Sequence, residues 1–468
     1  MSAPPVEHTP WIVRTLQQVR DAVDEIAASS PSRLFLVVLF LVISVFTALL
    51  SLPAASVKHT VTPLHDALFT ATSAVTVTGL TTVNSGEHWS LFGLIVIMVA
   101  MFIGGLGVIT LASILAMAVS RRLGVRGKLL AQQSMNTNES GRLGEVGTLL
   151  RIIITTTTLI QMGLAVILIP AYWFEDRDLG DAVFHGLFYA VSAFNNGGFV
   201  SHANGLVGYE HNLLITMTVM VGVFIGSLGF PVLMVILTCR HHVKRWSLHA
   251  KLTVVVSIIL CFAGAVVLGA LEWDNPRTIG EFSFGDKILY SLFGSVMTRS
   301  GGFSVVDQNE LNPTSMLITD ALMFAGGGSV STAGGIKVTT IAVLFLAIAA
   351  EAKGHSDVRA FGRRIPEGAM RVALSVVVLA ATLVTIGCAL LLWITKEPLD
   401  RVLFETISAF ATCGLSVGLS AELPPSGKYI LAALMYAGRL GTITLAASLA
   451  ARQRDQRFHY PEERPIIG

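Results

Sequence analysis

The chain has 468 residues, of which 53% are hydrophobic and only 13% are charged, with a mean hydropathy of +0.69. This composition excludes an ordinary soluble protein and predicts an integral membrane protein surrounded by lipid. The formal net charge of +2 says little until the charges are located, and we expect no nucleic-acid partner.

Eight apolar segments are long enough to cross a bilayer as helices. They are residues 34–52, 91–119, 152–174, 213–238, 252–271, 316–350 (interrupted), 370–395 and 429–450. Within each successive pair lies an apolar segment of roughly 10 to 15 residues, which is too short to cross and predicts a re-entrant half-helix. An aspartate lies near the start of each half-helix, where its carboxylate is expected to cap unpaired backbone N–H groups. These residues are Asp66, Asp181, Asp286 and Asp400.

A glycine motif closes each of these half-helices, and each motif glycine is followed by Leu or Phe. The four glycines are Gly79, Gly198, Gly302 and Gly414. A phenylalanine precedes each of them by nine or ten residues, and a second small-residue motif begins 24 to 28 residues after each. The second motifs begin at Gly104, Gly226, Gly326 and Gly438. Four copies of one unit (helix, half-helix, glycine loop, helix) explain this spacing.

The positions of the basic residues test this topology independently of hydropathy. Of the 32 Lys and Arg residues, 22 lie in the N-terminal segment, the loops 120–151, 240–251 and 351–371, and the C-terminal tail. The positive-inside rule then makes both termini cytoplasmic, and the glycine loops approach from outside. The predicted fold is therefore an all-α integral membrane protein. Four parallel helix–pore-half-helix–helix repeats surround one pseudo-fourfold pore, with eight transmembrane spans.

These assignments divide the chain into six parts of a multi-pass plasma-membrane protein. The parts are a cytoplasmic N-terminal segment (1–32), repeat 1 (33–119), a cytoplasmic loop with repeat 2 (120–238), repeat 3 with its broken second helix (239–350), repeat 4 (351–450) and a cytoplasmic C-terminal tail (451–468).

The residues before each recurring glycine are predicted to form a selectivity filter. A half-helix that enters from outside points its partly negative C-terminal end toward the membrane centre. Glycine lets the following carbonyl oxygens turn to the axis and replace the water around an ion. Because no acidic residue lies in these motifs, a weakly hydrated monovalent cation is favoured over calcium or magnesium. The Thr and Asn side chains add ion contacts, brace the loops or only make local backbone bonds. The filter residues are Thr76, Val77, Thr78, Gly79, Asn195, Asn196, Gly197, Gly198, Ser300, Gly301, Gly302, Thr412, Cys413 and Gly414.

The sixth span is interrupted by five glycines within ten residues, which cannot remain helical. We interpret the break as a mobile loop that gates the path, with close packing of small residues between helices as the alternative. Arg439 either forms a positive barrier or holds this loop, unless it and Lys337 extend to the cytoplasm. The gate residues are Gly326, Gly327, Gly328, Ser331, Thr332, Gly334, Gly335, Lys337 and Arg439.

Charged residues at membrane depth usually have a function. Arg299 lies three residues before Gly302, near the C-terminal end of its half-helix. We predict that it pairs with Glu405 of the fourth half-helix and braces the filter without touching the ion. The four cysteines have no paired spacing, which predicts neither a disulfide framework nor a zinc site.

These motifs resemble those of the Trk/Ktr/HKT superfamily of potassium transporters, and most closely the KtrB/TrkH-type bacterial pore subunits. The resemblance rests on residues 76–80, 195–199, 298–303, 331–337, 412–416 and 438–441. It implies potassium bound at the filter, a gate in the broken span helped by Arg439, a homodimer of pores and a cytoplasmic ring of nucleotide-binding RCK subunits. The chain departs from the family pattern at Ser329-Val330, where the family usually has Pro-Gly, and at Thr442, where it often has proline.

The sequence therefore predicts potassium uptake through a filter gated by an intramembrane loop, with no covalently bound cofactor and with sodium as a possible coupling ion. A sodium or mixed sodium/potassium pathway is the alternative within transport. A polytopic membrane enzyme would need clustered titratable groups in the bilayer, which this chain offers only sparsely. A purely structural subunit is expected only if the four glycine loops do not meet.

Overall fold

The computed structural model describes residues 31–107, 146–209, 212–239, 242–355 and 357–451. Nearly all of the predicted N-terminal segment and C-terminal tail, and most of the loop 120–151, lie outside these residues. The part of the second predicted span beyond residue 107 lies outside them as well.

Helices dominate the described residues, and they fall where hydropathy predicts apolar segments. In chain order the longer helices are α1 (Pro31–Leu50), α2 (Leu64–Thr76), α3 (Leu91–Gly105), α4 (Val146–Asp176), α5 (Leu179–Phe194), α6 (Leu213–Leu228), α7 (Phe230–Cys239), α8 (Leu248–Glu272), α9 (Phe284–Met297), α10 (Pro313–Phe324), α11 (Val338–Ala352), α12 (Glu367–Thr395), α13 (Leu399–Ala411) and α14 (Pro425–Ala451). By length and composition, α4, α8 and α12 can each cross a membrane alone, and α6 with α7 can do so as one bent span.

Short elements complete the described part of the chain. They are two single-turn helices (Ser85–His88, Leu419–Glu422), four 3-10 turns (Pro53–Ala55, Val207–Tyr209, Val243–Arg245, Gln308–Glu310) and two strands, β1 (Arg359–Ala360) and β2 (Arg363–Arg364). The two strands pair antiparallel with Arg359 opposite Arg364. This hairpin lies in the basic loop between α11 and α12 and was not predicted from the sequence.

The starts of the four half-helices differ from the prediction. Asp178 caps α5 by accepting hydrogen bonds from two backbone N–H groups, and Ser283 caps α9 by accepting one. Pro63 and Pro398 precede α2 and α13 and make no side-chain cap. The four predicted capping residues, Asp66, Asp181, Asp286 and Asp400, all lie inside the first helical turn. The capping assignment was therefore wrong, although a carboxylate in the first turn still favours the positive end of the helix dipole.

At least two of the predicted spans are broken within the described residues, where one break was predicted. The predicted break in the sixth span is present, because α10 ends at Phe324 and α11 begins only at Val338. The fourth predicted span, 213–238, was expected to be continuous, yet α6 and α7 meet at an angle of 99°. Gly229 lies at this bend with φ +92° and ψ 149°, a backbone conformation that ends a helix and that side chains disfavour.

The half-helices lie at the centre of the packing. The repeated phenylalanines Phe69, Phe188, Phe293 and Phe404 are each 1% exposed or less. By contrast, Trp393 on α12 is 80% exposed, as expected for a helix that faces lipid. Each helix that follows a half-helix also contacts the next half-helix: α3 packs on α5, α6 on α9 and α10 on α13. The last helix, α14, returns to α2 and closes this circuit.

Candidate functional site

The four recurring glycines lie next to one another at the centre of this circuit. A Cβ added to any of these glycines would point at the backbone of the next loop around the circuit. It would face the residue just before the motif glycine of that loop. The pairs are Gly79 with Gly197, Gly198 with Gly301, Gly302 with Cys413, and Gly414 with Thr78. An added Cβ would lie 2.6 Å from the facing carbonyl oxygen at Gly79, 3.3 Å at Gly198 and 2.8 Å at Gly302, and at Gly414 the two atoms would overlap. We call this closed set of four glycines the glycine ring.

Two residues in each of the four glycine loops have a left-handed backbone conformation. The motif glycines have φ values of +95°, +66°, +72° and +94° in chain order. The residues two positions earlier also have positive φ, although none of them is glycine. They are Val77 (56°), Asn196 (59°), Ser300 (65°) and Thr412 (47°). Positive φ is rare for residues with a Cβ and rarest for β-branched ones, so the surrounding contacts must hold this conformation.

Serine side chains brace the loops at one recurring position, six residues before the glycine. The Gly79 N–H donates to Ser73 Oγ at 3.0 Å, and the Gly414 N–H donates to Ser408 Oγ at 3.1 Å. Ser192, at the same position in the second motif, donates to the carbonyl of the residue after its glycine at 2.9 Å. These bonds fix the loop to its own half-helix, and sequence inspection did not single them out.

The threonine side chains near the glycine ring mostly make local bonds. Thr76 Oγ1 donates to the Thr72 carbonyl at 2.7 Å and lies 2.7 Å from Thr78 Oγ1. Cys413 directs its thiol toward the carbonyl oxygens of Met297 and Thr298, each 3.4 Å away. The side chains thus brace the backbone, which leaves carbonyl oxygens as the groups best suited to face an ion. Among the described residues, no group of three or more His, Cys, Asp or Glu could hold a metal ion.

The segment between α10 and α11, residues 325–337, folds back on itself against the glycine ring; we call it the gate segment. Its two ends pair through a bridge between Ala325 and Ile336. Gly334 presses against the side chain of Thr412, where an added Cβ would overlap the hydroxyl. A Cβ on Gly335 would lie 3.1 Å from the Ala411 carbonyl oxygen. Of the predicted gate glycines, Gly334 and Gly335 therefore lie directly beside the fourth motif, and glycine is required there because the approach is so close. Gly326 faces the gate segment itself, whereas Gly327 and Gly328 face the carbonyl oxygens of Ser227 and Leu228 at the end of α6.

Hydrogen bonds attach the gate segment to the second and third motifs. Thr332 Oγ1 donates to the Phe194 carbonyl at 3.3 Å and lies 3.0 Å from the side-chain amide of Asn196. The Gly334 N–H donates to Ser300 Oγ at 3.2 Å. Further bonds are internal, such as that from Ser331 Oγ to a carbonyl three residues earlier, while the Gly328 N–H donates to the Ser227 carbonyl of α6 at 2.7 Å.

Arg439 connects the gate segment to the first repeat. Its guanidinium donates to the Thr332 carbonyl at 2.5 Å and to the Gly104 carbonyl at 2.8 Å, and the residue is 5% exposed. Lys337 Nζ donates to the Ala333 carbonyl at 2.7 Å. Of the roles considered for Arg439, this geometry favours holding the loop over extension to the cytoplasm.

The predicted pair between Arg299 and Glu405 is not formed. Glu405 accepts hydrogen bonds from Ser416 Oγ at 2.8 Å, from the Ser420 hydroxyl and from the Ser420 N–H at 3.0 Å. Arg299 is 2% exposed, and its three side-chain nitrogens have no hydrogen-bond partner among the described residues. The pairing was wrong because Glu405 is satisfied by the loop that follows its own half-helix, which fixes that loop instead.

Two structural links near the site were missed. Lys428 Nζ on α14 lies 2.7 Å from Asp66 Oδ1 on α2, and Thr82 donates to the same carboxylate oxygen at 2.7 Å. Gly229, at the bend of the fourth span, lies against the gate segment, and the neighbouring Phe230 N–H donates to the Val330 carbonyl at 3.1 Å. The small-residue motif that begins at Gly226 was the available signal for this bend.

Comparison with known proteins extends these observations over the whole chain. The family model of a cation transport protein, TrkH, matches residues 15–460. The Ktr system potassium uptake protein B of Vibrio alginolyticus is 36% identical over 424 residues, which cover 90% of this chain and 91% of that protein. The Ktr system potassium uptake protein B of Bacillus subtilis (strain 168) is 34% identical over 457 residues, 97% of this chain and 100% of that protein.

A solved structure shares the fold. The crystal structure of the potassium transporter TrkH from Vibrio parahaemolyticus matches with a TM-score of 0.68. The match covers 88% of this chain and 84% of that one, at 18% sequence identity. At this identity the likeness concerns the fold alone.

Proposed function

Since this chain belongs to the TrkH family of cation transport proteins, we propose that it is the pore subunit of a Ktr/Trk-type system for potassium uptake across the plasma membrane. The relatives named as potassium uptake proteins align over nearly their full lengths, which supports the same activity here.

The closed glycine ring is the observation that carries the proposal. Each of the four motifs follows the C-terminal end of a half-helix, so four partly negative helix ends converge beside the ring. The carbonyl oxygens of four left-handed loops then provide uncharged ligands of the kind that replace the hydration shell of potassium. In this proposal four repeats, with eight spans between them, surround one pore, and the filter is formed by the residues before Gly79, Gly198, Gly302 and Gly414.

In this proposal the gate segment closes the pore, and its contacts with three of the four motifs support that role. It lies against the fourth motif and is bound to the second and third motifs, and Arg439 ties it to the first repeat. Opening requires these bonds to break together. A glycine-rich segment suits this movement, because its backbone has more accessible conformations than an uninterrupted helix.

The orientation and assembly follow from the distribution of basic residues and from the family. We propose that both termini are cytoplasmic and that the filter opens to the outside, because basic residues concentrate in the loops opposite the glycine motifs. We further propose a homodimer regulated by a cytoplasmic ring of RCK-type nucleotide-binding subunits.

Growth of a potassium-uptake-deficient cell at low external potassium tests the proposal. Expression of the chain should restore growth, and Gly79→Ser should abolish or weaken this rescue or admit sodium, because a Cβ at Gly79 meets the Gly197 carbonyl oxygen at 2.6 Å. Gly163→Ser on α4 is the matched control, since a Cβ there meets nothing within 4 Å. Absence of rescue by the well-expressed wild-type chain would refute the function. Unaltered rescue and selectivity in Gly79→Ser would refute the filter assignment.

A further inference from the structure

We propose that the Ser300 hydroxyl couples the gate segment to the selectivity filter, so that the geometry of the filter depends on whether the segment is seated. The inference rests on the proposed function and deepens it. It assigns to Ser300 a positioning role for the Thr412 carbonyl, at the end of the filter that lies against the gate segment.

The Ser300 side chain makes two bonds that face in different directions, and its oxygen also lies 3.5 Å from Thr412 Oγ1. Its oxygen accepts the Gly334 N–H of the gate segment at 3.2 Å, and its hydroxyl donates to the Thr412 carbonyl of the fourth motif. Ser300 is 1% exposed and Thr412 is fully buried, so water does not compete for either bond. Ser300 belongs to the third repeat, and it therefore joins the gate segment to the filter of the neighbouring repeat.

The two bonds are linked because a serine hydroxyl has a single hydrogen. While the Gly334 N–H occupies a lone pair of Ser300 Oγ, the hydroxyl hydrogen is directed away from the gate segment and toward the Thr412 carbonyl. When the segment leaves, the oxygen loses this donor, and the hydroxyl is free to turn. Hydrogen bonds in such a chain also polarise one another, so loss of the first weakens the second.

The backbone of Thr412 should respond strongly to the loss of this bond. It holds a left-handed conformation, φ 47°, although it is β-branched, and such a residue keeps that conformation only when its surroundings fix it. The bond from the Ser300 hydroxyl therefore helps to fix the direction of the Thr412 carbonyl at the gate-side end of the filter. When the segment leaves, this bond weakens and the carbonyl is held less firmly, whereas removal of the hydroxyl abolishes the bond.

Three variants separate this coupling from simple loosening of the gate. Ser300→Ala and Ser300→Gly both remove the hydroxyl, and the glycine variant also relieves the positive φ of 65°. Thr339→Val removes the contact of 3.1 Å between Thr339 Oγ1 on α11 and Ser329 Oγ of the gate segment, and it leaves the Ser300 bonds intact. The full-length chain is reconstituted in proteoliposomes, and the initial uptake of potassium and of sodium is measured separately for each variant.

We expect all three variants to raise potassium uptake several-fold, because each weakens the hold on the gate segment. Both Ser300 variants should also lower the ratio of potassium to sodium uptake several-fold, whereas Thr339→Val should keep the wild-type ratio. A wild-type ratio in Ser300→Ala and Ser300→Gly would overturn the proposal, as would an equal fall in Thr339→Val. A normal ratio in Ser300→Gly alone would assign the alanine effect to backbone strain and would also overturn it. Failure of the wild-type chain to carry potassium would instead refute the proposed function.

Discussion

Removal of the Lys428 ammonium group should destabilise the protein strongly, because this group closes the circuit of helices at the junction of α14 and α2. Lys428 Nζ lies 2.7 Å from Asp66 Oδ1, and the two side chains are only 9% and 10% exposed. Lys428→Met keeps the length and the apolar part of the side chain. It leaves the Asp66 carboxylate buried, with Thr82 as its remaining hydrogen-bond donor and with His65 Nε2 3.4 Å from its other oxygen.

The expected cost follows from this burial. Breaking a buried ion pair by removing one partner typically costs about 3–5 kcal/mol. Since Thr82 still donates to the carboxylate, we expect the low end, ~3 kcal/mol in the free energy of unfolding. The double variant Asp66→Asn/Lys428→Met removes the uncompensated charge and keeps an acceptor for Thr82. It should therefore recover most of the loss, because an unpaired buried charge accounts for the larger part of it.

Unfolding of the purified protein in detergent micelles, titrated with a denaturing detergent, measures these free energies. Arg277→Met is the matched control, because the pair between Arg277 and Glu310 has a similar distance, 2.9 Å, but side chains that are 74% and 37% exposed. Loss of such a surface pair should change stability by no more than about 1 kcal/mol. If Lys428→Met is no more destabilising than Arg277→Met, or if the double variant is less stable than Lys428→Met, the reasoning is refuted.

Three further predictions concern the site and the outer loop. Gly302→Ala should reduce potassium flux at least tenfold with normal membrane insertion. Its Cβ would lie 2.8 Å from the Cys413 carbonyl oxygen, and the backbone φ of +72° at this residue disfavours any side chain. Near-normal flux would contradict this. Arg439→Gln should raise basal flux several-fold in proteoliposomes by weakening both backbone bonds to its guanidinium, and unchanged flux would count against a holding role. Burial, helped by the neighbouring His185, lowers the pKa of His202 to about 3. Protonation thus favours the unfolded state, so the free energy of unfolding should fall as pH drops from the ordinary histidine pKa toward 3, by about 2–3 kcal/mol at pH 4.5. In thermal unfolding, His202→Gln should flatten this loss of stability. An unchanged pH slope in that variant would contradict the assignment.

Much of the local architecture could be predicted because it is encoded in short segments. Apolar runs located the longer helices, and the five glycines at 326–335 located the break between α10 and α11. The recurrence of Gly79, Gly198, Gly302 and Gly414 at matching points of four units indicated equivalent positions. Equivalent positions in units that pack in a closed circuit must come together, and the structure places them in contact.

Contacts between distant segments could not be predicted, because composition and spacing do not fix the direction of a side chain. Charge and membrane depth predicted an ion pair between Arg299 and Glu405, but the Glu405 carboxylate is bound by the loop at 416–420. The actual buried pair joins residues 362 positions apart in sequence, Lys428 and Asp66.

The sequence by itself therefore determined the apolar character of the helices and the recurrence of the four glycines, since hydropathy and backbone freedom are local properties. Only the tertiary structure decided how the units are joined: the bend at Gly229, the hold of Arg439 on the gate segment and the path from Gly334 through Ser300 to Thr412. The physical reason is that a hydrogen bond depends on distances of a few tenths of an ångström and on direction. Both are set when four separately encoded units pack against one another.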